Sequence, residues 1–313
     1  MATKSLVVDA RIPPPGRRLA SLVQQLLRVG AAQAAAAIHQ GAVRVNRRLA
    51  KRPHAVLQVG DRVEVDVALP TRSAAPAPKV PRAALKIVFQ DEHIAVVVKP
   101  PGLLTVPTPH REPHTAISQL NHLLRRHDAS AEAFCVHRLD RGVSGLLVFA
   151  KSLAIAQALR DQFAERKPQR RYVAFVAGRV QPPKGTIRSY LATDKDLNRY
   201  STKDPTAGQL AVTHYQVVES WADATLVAVR LETGRRNQIR VHFAEMGHPV
   251  LGDRRYRKDE AAHAAWPYRR LALHAESLGF SHPVTGQSLE FYAPLPPEFE
   301  RLKKKLASPR RRK

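Results

Sequence analysis

The stretch PTRSAAPAPKVPRAA, Pro70 to Ala84, divides this chain into parts that follow different periodicities. It is rich in Pro and Ala and carries no apolar repeat, so residues 69–84 read as an extended linker. What lies before it is short and begins helical. What lies after it is long and dense in strands. A chain split this way is expected to fold as a small module, residues 16–68, and a large domain, residues 85–300. Residues 1–15 form an N-terminal extension and residues 301–313 a basic tail.

The small region opens with GRRLASLVQQLLRVG, where Leu19, Val23, Leu26 and Leu27 recur at helical spacing. An Ala-rich run predicts a second helix, which Gly41 would stop. AVRVNRRLAKRPHAVLQVGDRVEVDV then predicts short alternating strands, with NR and GD at turns.

The large region starts with LKIVFQDEHIAVVVKPPG, two β runs around Asp91-Glu92 ended by Pro-Pro-Gly. GLLVFAK predicts a strand, and SLAIAQALRDQFAER a helix capped by Ser152. RRYVAFVAGRV is a strand, and AVTHYQVVESWADATLVAVRLETG a hairpin. NQIRVHFAEMG is a short helix closed by Gly247, with Ile239, Phe243 and Met246 on its apolar side. Few helices separate the β runs. That order favours α+β with a mixed, mostly antiparallel sheet over a doubly wound parallel fold.

Lys and Arg number 51 against 26 Asp and Glu, a net charge of +25. Such an excess points to a polyanionic partner, nucleic acid first. The tail RLKKKLASPRRRK has eight basic residues and no acid, and reads as a disordered segment that grips phosphates without sequence preference. The apolar share of 44% is enough for a buried core, and no run of about 18 apolar residues predicts a membrane span. The N-terminus lacks a leader-like apolar core. A single cysteine, Cys135, excludes an intramolecular disulfide framework and a thiolate-rich zinc cluster. A cytoplasmic, monomeric protein is expected.

Several chemistries are missing from the sequence. It has no phosphate-binding G-x-x-x-x-G-K-[ST] loop, no G-x-G-x-x-G after a strand, no G-x-S-x-G elbow and no H-E-x-x-H. HRLD is not the kinase H-R-D loop, because a leucine intervenes and no D-F-G accompanies it. What remains is a set of separated segments. These are VVVKPPGLLTVP, HRLDRGVSGLLVFAK, RRYVAFVAG, GRRNQIRVHFAEMGHPVLGDRRY and LALHAESLGFSHPVTGQ.

In order and spacing these segments resemble the pseudouridine synthases that modify uridines in large-subunit ribosomal RNA and some transfer RNAs. The resemblance covers residues 85–300. It implies that family's fold, with a cleft crossing the sheet, and an isomerase that needs no cofactor and no metal. Residues 16–68 are similar to the small RNA-binding module of ribosomal protein S-four, although GAAQAAAAIHQG lacks that module's usual basic helix. The resemblance would put its phosphate grip on Arg44, Arg47, Arg48, Lys51 and Arg52.

The implied reaction detaches uracil from C1′ of its ribose and reattaches it through C5. It requires an ionised carboxylate close to the sugar, and an arginine beside that carboxylate keeps it charged and aimed. The resemblance assigns the carboxylate to Asp140 and the arginine to Arg240. Two routes stay open, a covalent bond to C1′ and proton abstraction to a glycal. Tyr172 is implied as the ring beside the target base and a proton acceptor at C5. Arg138 is assigned to the flanking phosphates or to the gap left by a flipped-out uridine. His137 reads as scaffold. Three positions depart from the family pattern: Val143 replaces Thr, Arg236-Asn237 replaces Thr-His, and Gln169-Arg170-Arg171 stands at the lysine before the tyrosine. Ribosomal RNA is the first expected partner and transfer RNA the second. The alternative is a non-catalytic RNA-binding or ribosome-assembly factor on the same fold. A DNA-binding protein has only the charge in its favour.

Overall fold

The computed structural model describes residues 3–10, 12, 17–27, 29, 34, 37–38, 41–50, 55–66 and 84–308. The chain divides into two compact units, Met1–Arg82 and Ala83–Lys313. No helix among the described residues is long and apolar enough to cross a membrane.

The first unit holds β1 (Thr3–Val7), α1 (Leu19–Leu27), β2 (Val43–Val45), β3 (Arg48–Leu49) and β4 (Arg62–Asp66), with strand order β1-β4-β2-β3. All pairs are antiparallel. Alternation in β4 buries Val63 and Val65 against Leu19, Leu22 and Val23 of α1. The NR turn forms as read. Asn46 and Arg47 take φ of 50° and 65°, the left-handed pair that a two-residue hairpin needs, and the Asn46 side chain accepts from Arg62 N at 2.8 Å. Gly41 has φ 79°, and Ala42 N donates to Ala37 O at 3.0 Å, which closes a helical turn. Of the Ala-rich helix only Ala34, Ala37 and Ile38 are described, and all three are helical. The rest of it lies outside the described residues, as do the linker up to Ala83 and the last five residues of the tail.

Residues 3–7 correct the sequence reading. The segment set aside as an extension is a strand, with Thr3 opposite Asp66 and Val7 opposite Arg62. It supplies a run of β-forming side chains to an otherwise open edge.

The second unit is built on an 11-stranded sheet. Its strands are β5 (Lys86–Gln90), β6 (Ile94–Lys99), β7 (Phe134–Cys135), β8 (Ser144–Ala150), β9 (Gln169–Ala177) and β10 (Lys184–Thr193). They continue with β11 (Arg199–Thr202), β12 (Gln209–Ser220), β13 (Ala224–Leu231), β14 (Leu273–Ser281) and β15 (Ser288–Tyr292). The order is β11-β10-β12-β13-β9-β14-β8-β6-β5, with β15 on β14 and β7 on β8. Only β14 and β8 pair in parallel, over His274–Ser144 and Ala275–Gly145. Gly145 has φ 120°, and a Cβ there would come within 2.1 Å of Ala275 O, so only glycine lets the two strands meet.

The helices are α2 (Ala116–Leu124), α3 (Leu153–Ala164), α4 (Gln238–Glu245) and α5 (Pro297–Ala307). Both faces of the central strands are covered, which is why β6 and β8 read as continuous apolar runs. Ile94, Val96, Leu146 and Val148 pack with Ala156 and Leu159 of α3. Ala95, Val97, Leu147 and Phe149 belong to the larger core with Leu120 of α2, Phe243 of α4 and Phe299 of α5. Ser152 caps α3, its hydroxyl accepting from Ile155 N at 3.3 Å.

The tail is also corrected. It is not disordered from residue 301, because α5 runs on to Ala307 and buries Leu302 completely. Its basic residues hid an apolar stripe of Phe299, Leu302 and Leu306 at i, i+3 and i+7.

Candidate active site

The turn that carries Asp140 is held by the Lys-Pro-Pro-Gly segment. Thr105 Oγ1 donates to Leu139 O at 2.9 Å and accepts from Leu139 N at 3.1 Å. Gly102 N donates to Arg141 O at 2.7 Å, and Arg141 Nε donates back to Gly102 O at 3.1 Å. Val143 N closes the turn on Asp140 O at 3.1 Å. Beneath this lies Lys99, fully buried. Its Nζ donates to Pro100 O, Leu103 O and Arg141 O at 3.0, 2.8 and 3.4 Å. Burial pulls its ammonium down to about 7, although the charge of Asp140 opposes that fall.

Arg240 stands on the first turn of α4. The helix starts from Asn237 in the left-handed region (φ 59°), and Gln238 anchors it. Gln238 Oε1 accepts from Thr233 and Arg235, and its Nε2 donates to Val212 O and Thr213 Oγ1. His242 sits between Thr213 Oγ1 (2.9 Å) and Ser189 Oγ (3.0 Å), and burial pushes it down to about 4. The helix is therefore buried well beyond the predicted stripe, because Val241, His242 and Ala244 are enclosed as well.

The guanidinium of Arg240 makes four contacts. Nε and Nη2 meet the two oxygens of Asp253 at 2.7 and 2.8 Å, and Nη1 meets Asn237 Oδ1 at 3.0 Å and Asp140 Oδ2 at 3.3 Å. Tyr256 lies under it with 5.1 Å from Cζ to the ring centre. Burial disfavours the charge on Arg240, but bonding to Asp253 and then the charge of Asp140 outweigh it, and its pKa is raised. Asp253 is itself fully buried and accepts from Arg255 N and Tyr256 N. The arrangement fixes a cation beside Asp140, and Asp140 keeps 20% of its side chain exposed to the cavity.

Tyr172 is 8% exposed on β9. Burial raises its pKa, Arg170 opposes that rise, and Asp140 adds to it. A cavity of about 90 Å³ is lined by Arg138, Asp140, Val143, Tyr172, Gly234, Asn237, Arg240 and Leu273, among others. So Asp140, Arg240, Tyr172 and Arg138 come together on one cavity, from positions up to 102 residues apart (138 to 240). It sits beside the parallel β8–β14 pair, since Val143 and Leu273 each precede a paired residue. A larger depression of about 770 Å³ along Gly252–Tyr268 is lined by Asp253 but not by Asp140, Tyr172 or Arg240.

Arg138 is exposed at the cavity. His137 accepts from Val148 N at 3.2 Å and stacks on Phe163 at 4.5 Å, and burial pushes it down to about 3. It is neutral scaffold. Arg44, Arg47 and Arg48 are exposed on the β2–β3 hairpin of the first unit. Lys51 and Arg52 lie outside the described residues. Asp253 and Tyr256 were missed as functional residues. The quoted GHPVLGDRRY segment contains both, but no spacing rule says that they clamp an arginine 13 and 16 positions earlier. Among the described residues no group of three His, Cys, Asp or Glu is placed to hold a metal ion.

Residues 93–245 match the family model described as RNA pseudouridylate synthase. The chain is 34% identical over 277 residues to ribosomal large subunit pseudouridine synthase D of Haemophilus influenzae, which covers 83% of this chain and 82% of the relative. It is 41% identical over 211 residues to the dual-specificity RNA pseudouridine synthase RluA of Escherichia coli, covering 67% of this chain and 93% of the relative. Among solved structures, human RNA pseudouridylate synthase domain containing 4 superposes with a TM-score of 0.58 at 24% identity. It covers 71% of this chain and 92% of that one, and it supports the fold.

Proposed function

The chain belongs to the RNA pseudouridylate synthase family, and we propose that it isomerises specific uridines in large-subunit ribosomal RNA, with Asp140 as the group that acts at the sugar, as nucleophile or as base. The observation that carries this reading is the 3.3 Å contact between Arg240 and Asp140 on a cavity that Tyr172 also lines. The target RNA is inferred from relatives whose names specify the ribosomal large subunit. Transfer RNA is the second candidate.

In this reading a uridine is flipped out of its stack into the cavity, and Arg138 at the rim holds the flanking phosphates or fills the gap. Arg240, locked by Asp253, holds Asp140 pointed at C1′. The C1′–N1 bond breaks with its electron pair going to uracil. Asp140 either bonds to C1′ as N1 leaves and departs as C5 takes its place, or removes the C2′ proton to give a glycal and returns it as C5 bonds to C1′. In both routes the base turns, the C5 proton is lost and N1 gains one. Tyr172 packs beside the base, and its phenol, kept protonated by burial, accepts the C5 proton as it passes its own proton on toward N1. All atoms remain on one nucleotide, so no cofactor is called for. The first unit serves as an RNA-binding module like that of ribosomal protein S-four, with phosphates gripped by Arg44, Arg47 and Arg48 on its exposed hairpin and by Lys51 and Arg52. A separate small RNA-binding module before the catalytic domain in sequence, a monomeric state and a cytoplasmic location belong to the same proposal. Incubation with ribosomal and transfer RNA transcripts, followed by chemical mapping of pseudouridine, tests it. New pseudouridine at defined positions of the large-subunit transcript supports it, and none on any transcript counts against it.

A further inference from the structure

Arg170 is buried without a counter-charge. It stands on β9 two residues before Tyr172 and is 6% exposed. Nη2 donates to Glu232 O at 3.1 Å, and Cζ lies 5.4 Å over the Phe163 ring. Its Nε has no hydrogen-bond partner. Among the described residues no carboxylate forms an ion pair with it. The nearby carboxylate of Glu232 is turned to Arg166 at 2.9 Å and His214 at 3.2 Å. The other deeply buried arginines differ: Arg240 has Asp253, and Arg270 has Glu298 at 2.6 Å. A buried, unpaired guanidinium opposes folding, and a carbonyl and a ring face offset that only in part. The cost calls for a compensating use.

Its position supplies one. Residues i and i+2 of a strand share a face, so Arg170 and Tyr172 do. Gly234 lines the cavity, and a Cβ on it would come within 2.3 Å of Arg170 Nη1. The glycine is what allows the guanidinium to lie directly behind the cavity wall. Gly234 and Tyr172 are thus wall residues in front of a fixed, buried positive charge, and Arg235, which also lines the cavity, adds to the positive field on that side. When the C1′–N1 bond breaks, the departing uracil carries a negative charge spread over N1 and its carbonyl oxygens. The charge persists until C5 bonds to C1′. A preoriented cation stabilises such an anion without reorganising as it forms.

We propose that Arg170 is the counter-charge for the detached uracil anion, acting by its field through the wall that Gly234 and Tyr172 form. It is a positioning and electrostatic residue rather than one that touches the base. The proposal rests on the reading of the cavity as the place of isomerisation. It also gives a role to a position where the sequence departs from the family's lysine.

The test compares wild type, Arg170→Met and Arg170→Lys on RNA carrying uridine or 5-fluorouridine at the target position, following loss of the target nucleoside. Fluorine stabilises the base anion and so substitutes in part for the missing cation. Arg170→Met is expected to slow uridine consumption about a hundredfold, as loss of one preoriented stabilising group does. With 5-fluorouridine the penalty should shrink to about tenfold or less. Arg170→Lys should recover most of the rate. The melting temperature of Arg170→Met should equal or exceed that of wild type, because an unpaired buried charge has been removed. An equal penalty on both bases overturns the proposal. So does Arg170→Met protein that is unfolded or less stable, since the cation would then be structural. Wild-type protein that converts neither RNA overturns the reading of the cavity itself and this proposal with it.

Discussion

Arg240 is held by Asp253 rather than by Asp140. Two bonds of 2.7 and 2.8 Å join it to Asp253, which is fully buried, whereas a single 3.3 Å contact reaches Asp140. The division of labour follows from geometry. A bidentate partner fixes the plane of the guanidinium, and the remaining nitrogen is presented to a carboxylate that stays free to react.

Replacing Asp253 with Asn should therefore harm both stability and rate. Breaking one side of a buried ion pair costs about 3–5 kcal/mol. Urea denaturation should show a loss of this size, and the folded fraction should still turn over more slowly than wild type because Arg240 is no longer fixed. Unchanged stability and rate would remove Asp253 from the account.

Tyr172 is assigned two roles that substitutions separate. Tyr172→Phe keeps the ring beside the base but loses the phenol oxygen, so product formation should fall about a hundredfold while RNA affinity holds. If that oxygen accepts the C5 proton, deuterium at C5 of the target uridine should slow Tyr172→Phe more than wild type. Tyr172→Leu should lose affinity as well. A fully active Tyr172→Phe would leave the residue with packing alone.

Much of this site could be read from the chain, and the reason is local. Asp140, Tyr172 and Arg240 each sit in a segment that resembles the family pattern as a unit, and the structure brings the three onto one cavity. Lys99 was visible as part of a Lys-Pro-Pro-Gly stop, but its burial under the Asp140 turn depends on a hydrogen bond to a residue 42 positions away. The β10–β11 hairpin went unread because KGTIRSYLAT mixes small, charged and aromatic residues at partly buried edge positions. Helix α5 was taken for a tail because its charges outnumber the three apolar residues that dock it. The partner of Arg240 and the isolation of Arg170 are properties of the folded chain, and no spacing of residues encodes them.

Lys99 gives stability a pH dependence of known sign. Its ordinary value is 10.5, and burial lowers it to about 7 in the folded protein. Between those values the unfolded chain holds a proton that the folded chain has released, so the contribution to stability rises with pH across that window. Below pH 7 both states are protonated, and the full cost, on the order of 5 kcal/mol, is present. The stability difference between wild type and Lys99→Met, from denaturation curves at a series of pH values, should be flat below pH 7. It should then shift in favour of wild type toward pH 10. A difference that is level throughout would contradict this assignment.

RNA binding should weaken steeply as salt rises, because neutralising phosphates releases counterions. The corrected helix boundary changes how the tail is tested. Deleting residues 309–313 removes four basic residues and leaves α5 intact, whereas cutting at residue 301 would also remove buried Leu302. The shorter deletion should reduce the slope of log K against log salt by up to about 0.7–0.9 for each phosphate that the tail neutralises. An unchanged slope would mean that the tail does not touch RNA.

The most direct test is Asp140→Asn. The amide keeps the shape of the carboxylate and can still accept from Arg240, but it carries no charge and cannot attack C1′ or take a proton at the sugar. Pseudouridine formation on a transcript that wild type modifies should fall by several orders of magnitude, since nucleophilic and acid–base contributions each typically exceed about a hundredfold. RNA affinity, measured by filter binding in parallel, should be equal to wild type or tighter, because one negative charge has left a cationic site. Asp140→Asn protein that forms pseudouridine at the wild-type rate would contradict the account.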